Sequence, residues 1–264
     1  MTEQAHMGAP VLEAENLSIQ FGGLKALQEL SFSIPEKTVF SIIGPNGAGK
    51  TTFFNIVTGI YRPTGGDVRL YGESIVGLEP SRIVERGVCR TFQNIRLFQN
   101  LTVLENVMIG RQLHERTGLG DILLRTQRFR AQEAETLDRA AEILDYVGIL
   151  DDANALAKNL PYGRQRRLEI ARALATAPRL LLLDEPTAGM NPSESEEMVQ
   201  LFQRICEERG VCVLMIEHDM KVVMGVSQRI LVLNFGRQIA LGSPREVLEN
   251  EEVITAYLGH QKVM

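Results

Sequence analysis

Val39-Phe40-Ser41-Ile42-Ile43-Gly44-Pro45-Asn46-Gly47-Ala48-Gly49-Lys50-Thr51-Thr52 is the stretch on which the fold turns. Val39 to Ile43 is a short apolar run of the length of a buried strand, and it meets a glycine-rich loop at Gly44. A helix is expected from about Lys50 to Gly59, with Pro63 and Gly65-Gly66 turning the chain beyond it. Gly44 to Thr51 fits the pattern G-x-x-x-x-G-K-[ST]. Glycines let such a loop curl until its N–H groups face phosphate oxygens, and the helix behind adds its positive end. In that geometry Lys50 reaches the β- and γ-phosphates and the Thr51 hydroxyl ligates Mg²⁺.

Outward from this loop, Val11 to Phe21 and Leu27 to Ile34 alternate roughly in polarity and predict two strands at a sheet edge. Asp67 to Ile75 predicts one more. From Thr102 to Ala177 the pattern is helical, with Arg125 to Val147 amphipathic and Arg164 to Thr176 a second strong helix. Leu180 to Leu183, Val211 to Ile216 and Ile230 to Leu233 then read as core strands separated by helices. Ser193 with Glu196 forms an expected capping box, and Ser243, Pro244 and Glu246 mark another helix start. Strands alternating with helices imply an α/β fold with a mostly parallel sheet.

Bulk properties exclude several classes. A net charge of −5 over 264 residues disfavours nucleic acid as a partner, because phosphate neutralisation needs clustered cations. Cys89, Cys206 and Cys212 form no metal-ligand spacing and suit a reducing compartment. No run approaches the roughly 18 apolar residues of a membrane span. Met1 to Pro10 has neither the charged nor the apolar region of a signal peptide. The expectation is a chain that serves a membrane, if at all, from the cytoplasmic side and through partners.

Leu180-Leu181-Leu182-Leu183-Asp184-Glu185 is an apolar strand that ends in two carboxylates. Open parallel sheets bind ligands at the C-terminal ends of their strands. Asp184 is there to hold Mg²⁺, usually through water, and Glu185 to polarise the water that attacks the γ-phosphate. His218 closes the strand Val211 to Ile216 and is a candidate γ-phosphate contact.

The order of these pieces resembles the ABC transporter ATPase family. Gln93, in Thr91-Phe92-Gln93-Asn94, stands at the family's Q-loop glutamine, which implies a Mg²⁺ ligand and a sensor of the membrane partner. Leu160-Pro161-Tyr162-Gly163-Arg164-Gln165 occupies the place of the LSGGQ signature, Asn191 that of the D-loop aspartate, and Glu217-His218-Asp219 that of the switch histidine. Phe21 matches the aromatic that stacks on adenine, a contact worth roughly 1–3 kcal/mol. The resemblance implies an ATPase with a P-loop NTPase (RecA-like) core, an antiparallel β edge subdomain and an inserted helical subdomain. The expected division is 11–93 with 178–241 for the core and edge sheet, 94–177 for the helical part carrying the signature, and 242–264 for a C-terminal helical extension. ATP and Mg²⁺ are the implied ligands, with Gly44 to Thr52, Phe21 and Gln93 on the nucleotide.

Finer features resemble the larger ATPase subunit of the branched-chain amino-acid importers. They are Phe21-Gly22-Gly23-Leu24-Lys25-Ala26-Leu27, Arg166-Arg167-Leu168-Glu169-Ile170-Ala171-Arg172, the long segment from Gly110 to Gly148, and the closing Ala256-Tyr257-Leu258-Gly259. The lipopolysaccharide-export ATPase shares several of them, so the resemblance implies import of branched-chain (hydrophobic) amino acids, with lipopolysaccharide export as the nearest alternative and another ABC system as a further one. The implied partners are a second ATPase subunit, two membrane-spanning permeases and, indirectly, an exported substrate-binding protein. The implied location is the inner face of the cell membrane, without insertion.

Four departures bear on the nucleotide of the opposing subunit, which the family's signature completes. Pro161 replaces a serine and removes a hydroxyl and an N–H. Tyr162 replaces a glycine and Arg164 a glutamine, while Gly163 is kept. Proline is favoured at the first helical position, so Pro161 is expected to start a helix. Asn191 keeps hydrogen-bonding capacity but loses the aspartate's charge. An unequal pair of ATP sites in a heterodimer follows as an expectation.

Overall fold

The computed structural model describes residues 10–114, 121 and 126–258. Met1 to Ala9, most of the stretch between His114 and Thr126, and Gly259 to Met264 lie outside the described residues, and with them parts of the long helical segment and of the C-terminal extension. Two compact units emerge, one from Met1–Arg90 with Arg179–Met264 and the other from Thr91–Pro178.

In chain order the first unit opens with β1 (Leu12–Phe21), β2 (Leu24–Ile34), β3 (Val39–Ile43), α1 (Lys50–Val57), β4 (Gly65–Leu70), β5 (Glu73–Ser74), α2 (Pro80–Glu85) and β6 (Val88–Arg90). The second unit contributes α3 (Val103–Arg111), α4 (Gln127–Tyr146) and α5 (Tyr162–Ala175). The first unit resumes with β7 (Leu180–Asp184), α6 (Pro192–Arg209), β8 (Cys212–Ile216), α7 (Met220–Val226), β9 (Arg229–Asn234), β10 (Arg237–Gly242), α8 (Pro244–Leu248) and α9 (Glu251–Leu258).

The main sheet runs β10-β9-β3-β8-β7-β6. Its strands from β9 to β6 are parallel, and β10 returns antiparallel on β9. Every residue of β3, β7 and β8 is buried, so these strands read as continuous apolar runs without alternation. A second, antiparallel sheet runs β2-β1-β4-β5. The two sheets share one apolar core, in which Phe32 stacks on Phe40 at 5.6 Å and leans on Phe53 at 5.3 Å. Each such fully buried side chain contributes roughly 1.5–3 kcal/mol.

Several expectations need correction. Asp67 to Ile75 is two strands, because Tyr71 and Gly72 both take positive φ (49° and 78°) and make a two-residue hairpin turn between β4 and β5. The capping box before α6 is Asn191 with Glu194, not Ser193 with Glu196: Pro192 fixes the first turn, and Asn191 Oδ1 accepts from Glu194 N at 3.0 Å. Pro161 is the N-cap of α5, one residue before the helix begins at Tyr162. β6, β10 and α2 add to the elements foreseen. Ser243 and Glu246 do form their box ahead of α8, with Pro244 at the first helical position.

Candidate active site

Parallel register lines up three strand ends on one edge of the main sheet. Ile42 of β3 pairs with Ile216 of β8, and Ile216 pairs with Asp184 of β7. The Gly44 loop, the Asp184-Glu185 pair and the Glu217-His218 turn therefore leave the sheet side by side.

The loop is compressed at two glycines. Gly44 has φ 148°, and a Cβ there would sit 2.1 Å from the Leu233 carbonyl oxygen of β9. Gly49 has φ 104°, and its Cβ would meet the Ala26 carbonyl at 2.6 Å. Only glycine fits either place. Lys50 folds back over the loop and donates to the carbonyls of Gly44 (2.6 Å) and Pro45 (3.0 Å). Burial lowers its pKa, and the carboxylates of Glu185 and Asp184 oppose that shift, so the cation faces both acids. Tyr257 of α9 packs against the cluster of Ile43, Val223, Ile230 and Val232. Burial raises the pKa of its phenol, and the nearby Gly44 backbone opposes that shift.

Asp184 is buried and paired with Arg90 of β6 at 2.7 Å. Arg90 also donates to Asn55 Oδ1 at 2.7 Å and lies over the Phe54 ring. Glu185 is partly exposed and holds a left-handed backbone (φ 47°), its N–H donating to the Ile216 carbonyl at 2.9 Å. His218 is exposed, with Nδ1 3.8 Å from Glu185 Oε1 and 3.9 Å from Glu217 Oε2. Glu217 is only 1% exposed. One of its oxygens accepts from the N–H (3.0 Å) and hydroxyl (2.5 Å) of Thr187, the other from the N–H of His218 (3.0 Å) and Asp219 (3.4 Å). It thereby ties the turn after β7 to the turn after β8. Phe21 is exposed at the end of β1, with the Tyr61 ring edge-on at 5.1 Å.

Thr51 and Thr52 open α1, Thr51 exposed. A hydroxyl and a carboxylate are hard oxygen donors, the chemistry that Mg²⁺ takes from a protein when phosphates and water supply the remaining ligands. Among the described residues no cluster of three or more His, Cys, Asp or Glu could enclose a metal without such help.

In the second unit Gln93 is exposed, and its carbonyl accepts from Arg166 at 3.0 Å. Leu160 is buried, and its carbonyl accepts from Gln165 Nε2 at 2.9 Å. Pro161, Tyr162 and Arg164 are exposed, Gly163 is half-buried, and Arg164 pairs with Asp152. Asn191 of the first unit serves as the α6 cap. Sequence reasoning did not single out Arg90, Glu217, or the Arg166–Glu169 pair as site residues. Only the position of Glu217 beside His218 signalled one of them. Among the described residues no helix is long and apolar enough to cross a membrane.

Comparison with known proteins accords with this geometry. The ABC transporter family matches residues 27–188, and the branched-chain amino acid ATP-binding cassette transporter family matches residues 237–263. The high-affinity branched-chain amino acid transport ATP-binding proteins LivG of Salmonella typhimurium and BraF of Pseudomonas aeruginosa are each 48% identical over 253 residues, covering 96% of this chain and 99% of theirs. The ADP conformation of MJ1267, an ATP-binding cassette of an ABC transporter, superposes with a TM-score of 0.83 at 30% identity, over 96% of this chain and all of that one. The chain is therefore an ATPase that belongs to the ABC transporter family, in its branched-chain amino acid branch.

Proposed function

We propose that this subunit hydrolyses ATP to energise import of branched-chain, hydrophobic amino acids through separate membrane permeases. The observation that carries the mechanism is the side-by-side exit of the Lys50 loop, Asp184, Glu185 and His218 from adjacent strand ends. Lys50 exchanges its carbonyl partners for β- and γ-phosphate oxygens, which the loop N–H groups from Gly44 to Thr52 and the start of α1 also hold. Glu185 accepts a proton from the attacking water, as a general base. His218 contacts the γ-phosphate and steadies Glu185. Phe21 stacks on the adenine with Tyr61 against its edge. Thr51, Asp184 and Gln93 would hold Mg²⁺, which when bound neutralises charge building on the phosphate oxygens.

The signature from Leu160 to Gln165 completes the ATP site of a second ATPase subunit, with Asn191 at the join. The heterodimer works beneath two permeases on the inner face of the membrane, and an exported binding protein delivers the cargo. The names of the relatives support the cargo assignment.

Two measurements test the reading. Lys50→Ala should abolish most MgATP binding in calorimetric titration, and unchanged affinity would remove the loop from the site. Vesicles containing the assembled transporter should accumulate labelled leucine only with ATP inside and binding protein outside. ATP hydrolysis stimulated by lipopolysaccharide and not by leucine would overturn the cargo.

A further inference from the structure

Arg166 and Glu169 lie one helical turn apart on α5, immediately after the signature. A charged pair at that spacing is ordinarily a solvated surface pair. Here Arg166 is fully buried and Glu169 is 2% exposed, with 2.7 Å between Nη1 and Oε2. Burying two charges is costly, and a packed apolar pair of equal volume commonly stabilises a helix as well or better. The pair does something that an apolar pair could not.

Its remaining hydrogen bonds all go to one irregular segment or to the signature. Arg166 donates to the Phe92 carbonyl (2.8 Å), the Gln93 carbonyl (3.0 Å) and, at 3.5 Å, the Tyr162 hydroxyl. Glu169 Oε1 accepts from the N–H groups of Phe92 and Arg96, each at 3.4 Å. Four backbone groups of the Phe92–Arg96 stretch, which belongs to no helix or strand, thus find partners on one ion pair. Buried backbone groups outside regular structure need such partners. The Arg96 guanidinium over the Phe92 ring, 4.5 Å from its centre, closes the segment on itself.

We infer that Arg166 and Glu169 are positioning residues for Gln93: their buried pair fastens the glutamine's backbone to the first turns of the signature helix, so that Gln93 and the signature move as one body. This deepens the proposed mechanism and rests on the reading of Gln93 as a site residue. A signal arriving at either element would reach the other without a hinge between them. Tyr162, the signature residue that replaces glycine, extends the same network by its hydroxyl.

The clamp itself can be read in the unaltered protein by hydrogen exchange. The Phe92 and Arg96 amides should be protected as strongly as the amides of α5; exchange at the rate of open loop amides would overturn the clamp. Its purpose is read in the assembled transporter with Glu169→Gln, which removes the charge and keeps the shape, and with the conservative Arg166→Lys. Support for a metal-facing group commonly matters by 10- to 100-fold, so Glu169→Gln should lower kcat about tenfold or more with KM for ATP nearly unchanged. In a Gln93→Ala background the same change should do no further harm. Equal losses in both backgrounds, or a rise in KM alone, would overturn the positioning role. If Gln93→Ala leaves turnover intact, the reading of Gln93 fails, and with it the positioning role; the exchange data still report whether the clamp exists.

Discussion

Arg90 and Asp184 meet at 2.7 Å between the ends of neighbouring strands, with 6% and 9% of their side chains exposed. Removing one member of a buried pair leaves the other charge uncompensated, at a cost of about 3–5 kcal/mol. Arg90→Met should therefore weaken the fold by that order in urea unfolding at neutral pH. If Asp184 faces bound Mg²⁺, a cation restores its balance. The variant should then gain more stability from ATP with Mg²⁺ than from ATP with a chelator, and by a wider margin than the native protein. Equal margins would count against Asp184 as a metal-facing group.

Glu185 combines its proposed catalytic role with a backbone that glutamate adopts reluctantly. Glu185→Gln should retain ATP binding and slow phosphate release by about 10²–10⁴-fold, the worth of a general base. Glu185→Asn suits the left-handed backbone better and should relieve strain, raising stability by up to about 1 kcal/mol while hydrolysis is lost. A destabilised Glu185→Asn protein would mean that the φ of 47° carries no strain.

Pro161 caps α5 without a side-chain hydrogen bond. In Pro161→Ser the new hydroxyl can accept from the N–H of Arg164, a cap worth about 0.5–2 kcal/mol, against less than about 1 kcal/mol lost with proline's stiffness. The isolated chain should unfold at the same or a higher denaturant concentration. In the proposed heterodimer the hydroxyl and restored N–H would also face the nucleotide of the opposing subunit, where a charge-assisted hydrogen bond contributes about 1.5–3 kcal/mol, or roughly 10- to 100-fold in affinity. Disabling each phosphate-loop lysine in turn assigns the gain to a site. No change at either site would confine Pro161 to its cap.

Burial pushes the thiols of Cys206 and Cys212 up to about 11 and about 12. Both should resist alkylation at pH 8 until the chain unfolds. The sign for stability follows from the raised values. Below the ordinary thiol pKa of about 8.5 both states keep the proton, and the full stability is present. As pH climbs from there toward 11, only the unfolded chain ionises, so stability falls by about 1.4 kcal/mol per pH unit for each thiol. Cys206→Ala should flatten that decline in urea titrations at pH 8 to 11; an unchanged slope would count against ionisation at this thiol as a cause.

The strand, loop and helix from Val39 to Val57 were legible because each signal there is local: an apolar run, glycines at forced turns, a lysine at a helix start. The leucines before Asp184 were legible for the same reason. Arg90 was not, since its strand has only three residues and its partner lies 94 positions away. Asn191 and Ser193 each precede a glutamate by three residues, and the choice between them rests on Pro192 taking the first helical position. Arg166 and Glu169 look in the sequence like a surface pair; a segment more than seventy residues earlier buries them. What stayed hidden is contact between distant segments, which no periodicity encodes.

Tyr257 gives helix α9 a stake in the chemistry of the glycine-rich loop. The phenol on α9 lies near the backbone of Gly44, the first residue of the proposed phosphate loop. A change at Tyr257 would therefore be felt in how the loop holds a nucleotide, although the residue sits on a helix far along the chain from the loop.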